Sequence, residues 1–152
     1  MKAAPAFAAI AACALISVAA AAVRDPVDGA WSFKTGAFDN GCVLTGQLMV
    51  QPKAAGGAHA CKLKARETCP ALKQSGVQLA PAIDIIADET CTLTEKNGRV
   101  IIQSKVVSAP AMPYLPDNFD LQLKDSGRME GDFLSTEILA KAVFFRGPDI
   151  VS

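Results

Sequence analysis

The chain has 152 residues, of which 51% are hydrophobic and only 6% aromatic, and its 15 basic side chains balance 15 acidic ones. No stretch is strongly basic, which removes the electrostatic reason for nucleic-acid or anionic-membrane binding. The length allows one compact domain with a real core and does not suffice for two once a leader is set aside.

That leader comes first. Met1-Lys2 precedes an alanine-dominated apolar run to Val23, with Ala20-Ala21-Ala22 at its end and Arg24-Asp25-Pro26 beyond it. One basic residue, a weakly hydrophobic run and a small-residue site are the marks of a secretory signal peptide, so 1–22 is read as a signal and the mature protein as periplasmic or secreted. Lipid attachment at Cys13 is the rival, because Ile10-Ala11-Ala12-Cys13 resembles a lipobox. Membrane attachment is expected only in that case; the run stays apolar for ten residues after Cys13, where a lipoprotein turns polar. Residues 23–28 follow as a short tail, 29–147 as the folded domain, and 148–152 as a C-terminal tail.

From Gly29 onward the hydrophobic pattern has a period of two. Eight runs alternate: 29–35, 43–50, 59–67, 89–95, 99–107, 118–124, 128–136 and 139–146. Alternation over such lengths specifies half-buried strands, and none of the runs shows a helical face. The stretch between Leu72 and Glu89 is ambiguous, and 70–88 is read as a long connection with room for a helical turn.

Local turn chemistry ties neighbouring runs together. Asn97-Gly98 between two alternating runs is a strong two-residue hairpin signal and sets Leu93 opposite Ile102 and Cys91 opposite Ser104. For the next hairpin, a three-residue loop Asp125-Ser126-Gly127 with Gly127 left-handed puts Leu123, Leu121 and Phe119 across from Met129, Gly131 and Phe133 on one face. A two-residue loop would oppose Leu123 to Glu130 and scramble that face.

Eight antiparallel strands with short turns bury one face either as a sandwich or as a closed barrel. The two ends of the domain favour closure. Gly29-x-Trp31 opens the first strand and Arg146 ends the last, so in an up-and-down barrel a guanidinium can stack on an indole and plug one end. The expected fold is all-β, an eight-stranded antiparallel up-and-down barrel.

Gly-x-Trp on the first strand with an Arg on the final one resembles the calycin pattern of lipocalins, avidins and bacterial metalloprotease inhibitors. The length, the exported character, and Trp31 followed by Cys42 and a second cysteine near a glycine-rich turn are most similar to the metalloprotease inhibitor family. Two extra cysteines and the 70–88 connection depart from it. The resemblance implies a calycin barrel and a protein-binding role in which Val23, Arg24, Asp25 and Pro26 act as an inserting tail. The stretches "YLPDNFDLQL" and "GRMEGDFLS" also resemble small uncharacterised exported proteins of alphaproteobacteria, which implies no activity.

The cysteines after the leader number four: Cys42, Cys61, Cys69 and Cys91. An even number in an exported chain is read as disulfides. Hairpin geometry around the Pro52-to-Ala58 loop sets Cys42 near Cys69 and leaves Cys61 with Cys91; Cys42 with Cys61 and Cys69 with Cys91 remains the alternative. A bridge across such a loop contributes about 3 to 4 kcal/mol.

His59, the only histidine, lies close in sequence to Cys61 and Cys69, the residue types of a metal site. There is no C-x-x-C pair, and an extended chain carries Cys69 more than about 20 Å beyond Cys61, so no metal and no cofactor are expected. His59, beside Lys62, Lys64 and Arg66, is read as a solvated rim residue. No G-x-S-x-G or H-E-x-x-H is present. Asp117, Asp120, Glu130 and Asp132 are read as solvated surface acids, the last three alternating outward beside Phe119, Met129 and Phe133, so paired acid/base work is not expected, and neither is enzyme activity. Two binding readings remain: a protein partner, such as a protease or another envelope protein, or a small apolar ligand in the barrel, with Leu63, Leu93, Ile102, Phe119, Leu121, Phe133 and Phe144 inside. "SAPAMPYLPDNF" adds a proline-stiffened rim that presents Met112, Tyr114 and Leu115.

Overall fold

A computed structural model describes residues 25–54, 57–110, 113–136 and 138–147. The expected signal segment, Cys13, Val23, Arg24, Met112 and the tail 148–152 lie outside the described residues.

The strands are β1 (Gly29–Thr35), β2 (Val43–Val50), β3 (His59–Cys69), β4 (Leu72–Gln74), β5 (Val77–Ala80), β6 (Ile83–Lys96), β7 (Arg99–Ser108), β8 (Asn118–Asp125), β9 (Arg128–Leu134) and β10 (Leu139–Arg146). Eight of them close into an antiparallel barrel in the order β1-β10-β9-β8-β7-β6-β3-β2, while β4 and β5 pair only with each other. The barrel is therefore up-and-down, with one hairpin inserted between β3 and β6.

That insertion corrects the 70–88 segment. It contains no helical turn: Ser75 and Gly76 both take positive φ (49° and 81°) and fold β4 back onto β5. The chain then enters β6 six residues earlier than the 89–95 run, and Cys69 faces Ile83, Glu67 faces Ile85 and Ala65 faces Ala87. Period two holds through this stretch, with Ala87, Glu89, Cys91 and Leu93 buried and Asp84, Ile86, Asp88 and Thr90 exposed. Its polarity is inverted at two places, an exposed Ile86 and a buried Glu89, and this hid the strand.

The turns set the register. Asn97 (φ 55°) and Gly98 (φ 79°) form the two-residue turn, and Leu93 pairs with Ile102 and Cys91 with Ser104 as the sequence implies. Across β8 and β9, Phe119 pairs with Phe133, Leu121 with Gly131 and Leu123 with Met129, also as expected. The device differs: Asp125 pairs with Arg128 around a tight Ser126-Gly127 turn, and the extra residue is a bulge at Lys124. Gly127 is not left-handed; its amide donates to Asp125 Oδ1 at 2.7 Å.

Inside, rings run along the barrel. Phe33 stacks on Phe144 (4.9 Å), Phe119 meets both edge-on (5.3 and 5.0 Å), and Phe133 links Phe119 to Phe38 (5.5 and 5.3 Å). Leu48, Leu63, Leu93, Ile102, Leu121 and Met129 are fully buried around them, so side chains fill the interior as they can in an eight-stranded barrel. Two inward positions must be glycine: a Cβ at Gly131 would sit 2.1 Å from Asp120 O, and one at Gly46 would sit 2.2 Å from Lys64 O. The disulfides are Cys42–Cys69 and Cys61–Cys91. Cys61 and Cys91 are direct cross-strand partners, and Cys42 meets Cys69 just beyond the Val43–Thr68 pair.

Candidate functional site

The barrel has two chemically different ends. At the closed end Trp31 and Arg146 are cross-strand partners, and the guanidinium lies 4.3 Å above the indole. Gly29, at φ +103°, leaves room beside it, since a Cβ there would come 3.4 Å from Arg146 Nη1. Arg146 Nε donates to Ser126 O at 2.6 Å, and its two terminal nitrogens donate to Asp28 O and Pro26 O. Trp31 Nε1 donates to Val27 O at 2.8 Å. Residues Asp25 to Asp28 are thus drawn across the barrel floor, with Val27 and Asp28 buried.

His59 is corrected by the same feature. It is not a solvated rim residue but is 1% exposed, beneath this segment. Its Nδ1 lies 3.0 Å from Asp28 Oδ1 and 3.0 Å from Gln51 O, and its Nε2 lies 3.2 Å from Asp25 Oδ2. Lys62, Lys64 and Arg66 point outward, whereas His59 shares the inward face with Cys61, Leu63 and Ala65. Parity along β3 carried the signal; proximity in sequence to three cations concealed it.

At the open end the loop before β8 turns a set of acids inward. Tyr114 Oη donates to Asp117 Oδ2 at 3.0 Å, Ser104 Oγ donates to Asp117 O at 2.7 Å, and the Asp117 amide donates to Glu89 Oε2 at 3.3 Å. Both Asp117 and Glu89 are buried, at 3% and 2% exposure, and Glu67 is half-buried nearby. Burial, reinforced by the Glu89 charge, pushes the Asp117 carboxyl up to about 8. Burial also raises Glu89 and Glu67, and raises the Tyr114 phenol, which faces the Asp117 charge as well. A cavity of about 160 Å³ opens beside this cluster, walled by Phe38, Leu44, Phe133, Tyr114, Asp117 and Glu67. Leu115, at the same rim, is exposed.

The remaining carboxylates behave as surface groups. Asp120 pairs with Arg99, Asp132 with Lys141, and Glu130 with Arg128, all on the outer face. A larger concavity of about 510 Å³ includes Met49, Lys62, Lys64, Thr90 and Val107 in its lining. Among the described residues the only three possible metal ligands within reach of one another are Cys42, Glu67 and Cys69, and both sulfurs are spent in a disulfide.

Of the sequence candidates, the structure joins Gly29, Trp31, Arg146, Asp25 and Pro26 at the floor, and Tyr114 and Leu115 at the mouth. It does not bring the two sets together. Asp117 is buried and not the solvated surface acid expected from the sequence, and Glu89 joins it unforeseen, although the inward parity of Glu89 with Ala87 and Cys91 carries the clue.

No protein-family model matches the chain, and no curated protein sequence does either. Solved structures do. A redesigned β-barrel aligns with a TM-score of 0.52 at 14% identity, over 81% of this chain and 93% of that one. The redesigned β-barrel mFAP0, bound to DFHBI, aligns at 0.52 and 11%, over 80% of this chain and 100% of that one. A third, mFAP1 bound to DFHBI, gives 0.51 and 11%, over 80% and 95%. At such identities the likeness is one of fold, and the chain is an eight-stranded antiparallel β-barrel held by two disulfides.

Proposed function

We propose that this is an exported, non-catalytic binding protein whose open end is the recognition surface for a protein partner in the cell envelope. One observation carries the reading: large exposed apolar side chains gather at that end. Leu72, Val77 and Leu79 lie on the β4–β5 hairpin, Leu115 on the loop before β8 and Leu139 at the start of β10, with Val77 62% and Leu139 71% exposed. Large exposed apolar side chains gathered at one end of a folded domain suit an interaction surface. Two disulfides suit an oxidising compartment.

The metalloprotease-inhibitor version of this reading places contact at the other end. There Asp25 to Asp28 are tied to the floor by Arg146, Trp31 and His59, so an inserting peptide would be supplied by the chain ahead of Asp25. A small apolar ligand deep inside is disfavoured by the filled interior, even though barrels of this shape bind a dye.

The test is a pair of variants. Leu72→Asp with Leu79→Asp should abolish capture of the envelope partner at unchanged melting, while a chain beginning at Asp25 should capture it normally. Capture that survives the hairpin variant and is lost with the shortened chain would shift the assignment to protease inhibition. A co-purifying apolar molecule in native mass spectrometry, with no protein captured, would defeat both.

A further inference from the structure

Strand β6 outruns one of its neighbours. From Ile83 to Asp88 it pairs residue by residue with β3, but on its other side β7 reaches only to Ser108, opposite Asp88. Prolines explain the stop: Pro110, Pro113 and Pro116 follow Ser108, and a proline has no N–H to give to a ladder.

Parity decides which backbone groups of β6 are left over. Gln51 N donates to Ala60 O, so the even residues of β3 face β2 and the odd ones face β6. Cys69, Glu67 and Ala65 therefore satisfy their partners Ile83, Ile85 and Ala87. Asp84 and Ile86 turn N–H and C=O the other way, to the side that β7 does not reach. Among the described residues no backbone hydrogen bond meets them there.

A row of alternating N–H and C=O groups is matched by another extended backbone. The flanking side chains suit one as well. Outside, Ile86 is 47% exposed and Val107, at the end of β7, is 65% exposed. Inside, Ile85 walls the mouth cavity with Pro113 and Leu115. The devices that blunt a native edge are missing, since Ile83–Ala87 holds no proline and no lysine, and its single acid, Asp84, is engaged by Arg66 at 2.7 Å. A second copy of the chain fits poorly. The one two-fold register that pairs both free residues sets the Asp84 carboxylate against Ile86 twice.

We infer that the open edge of β6 takes an extended segment of a partner protein as an added strand, antiparallel to β6 and in line with β7. Its residue opposite Ile86 is apolar, its residue opposite Asp84 is basic, and the residues between and beyond are apolar and lie over the mouth cavity. This names the mode of recognition at the open end and rests on that assignment. Ile86, out of place on an outward face, becomes a contact residue.

The probe is the peptide Thr-Val-Leu-Lys-Leu-Thr, acetylated and amidated, with Val meant for Ile86 and Lys for Asp84. Added to the full chain, it should slow hydrogen exchange of the Asp84 and Ile86 amides by about tenfold or more, read by NMR. Two isomers separate backbone from side chains. Methylating the Val amide, which faces β6, should weaken binding about tenfold; methylating the first Leu amide, which faces away, should change it by less than about twofold. Ile86→Pro removes an N–H that has no partner in the free chain, so it should weaken peptide binding about tenfold and shift melting by less than about 2 °C. Should that variant fail to fold, the isomers decide on the unmodified chain. Equal affinity of the two isomers, a silent parent peptide, protection confined to other strands, or a sedimentation mass of two chains without peptide would each overturn the inference. Partner capture keeps the two assignments apart. Normal capture by Ile86→Pro, with capture lost in Leu72→Asp with Leu79→Asp, removes the added strand and leaves the open-end surface; normal capture by both removes the open-end surface itself.

Discussion

Replacing Arg146 by Met removes the plug while keeping a flexible side chain of similar reach. The guanidinium makes hydrogen bonds to three backbone carbonyls, those of Ser126, Asp28 and Pro26, and one cation–π contact with Trp31 at 4.3 Å. Hydrogen bonds to a charged group are worth about 1.5 to 3 kcal/mol when buried. Arg146 is exposed, so each is discounted for solvent screening to roughly 0.5 to 1, and the ring contact to about 0.5 to 1. The expected cost is about 2 to 4 kcal/mol, equivalent to a melting temperature lower by roughly 6 to 16 °C in a domain of this size. Arg146→Lys keeps the charge over the ring but loses the fork, so about half that cost is expected. Urea unfolding followed through Trp31, the single tryptophan of the chain, reads stability and the floor together. An Arg146→Met protein within about 0.5 kcal/mol of wild type, or a Lys variant indistinguishable from wild type, would show that strand pairing alone closes the barrel.

Gly131→Ala should destabilise by more than about 3 kcal/mol or leave the protein insoluble, because its Cβ would enter the β8 backbone at 2.1 Å from Asp120 O and 2.7 Å from Leu121 Cα. Gly127→Ala, where the nearest atom is Asp125 Oδ1 at 3.5 Å and φ is not positive, should change melting by less than about 2 °C. The pH dependence of melting should carry the mark of Asp117. Its folded-state value is raised from 3.8 to about 8, so its stabilising contribution is complete below pH 4 and is lost as pH rises through 8. Melting followed from pH 4 to 9 should fall along that window, and Asp117→Asn should flatten the fall; an identical slope in the variant would contradict the assignment. Asp84 and Asp120, lowered by Arg66 and Arg99, act in the opposite sense only at more acid pH, and as exposed pairs they contribute little.

Strands, hairpin registers, the plug and the disulfides were legible because they follow from local rules. Period two fixes which side chains point inward, and a turn dipeptide such as Asn97-Gly98 fixes what opposes what. Where the sequence misled, a residue's neighbours in the chain were not its neighbours in space. His59 reads as solvated beside Lys62 and Lys64, yet a segment thirty residues away covers it. Asp117 reads as one more surface acid, yet Tyr114 and the β6 residue Glu89 enclose it. The Gly127 error is of another kind, since a bulge at Lys124 and a left-handed glycine deliver the same register, and alternation cannot tell them apart. The residues behind the calycin resemblance, Gly29, Trp31 and Arg146, build the floor, so they speak for architecture and carry little about the partner.

The two ends of the barrel bury their acids differently, although each keeps buried polar atoms without a hydrogen-bond partner, Asp28 Oδ1 and His59 Nε2 at the floor and Glu89 Oε1 at the mouth. At the floor two carboxylates, Asp25 and Asp28, flank a buried imidazole, so each acid has a basic partner. At the mouth Glu89 and Asp117 are as deeply buried and have none among the described residues. A buried acid retained only for architecture should lose stability when changed, because its hydrogen bonds go with it. An acid whose buried charge is uncompensated has the opposite signature, since removing that charge relieves a cost the folded protein otherwise bears. Glu89→Gln keeps an acceptor for the Asp117 amide and removes the charge, so above pH 8 it should melt a few degrees higher than wild type, about 1 kcal/mol. A lower melting temperature at every pH would place Glu89 among the structural residues of the barrel.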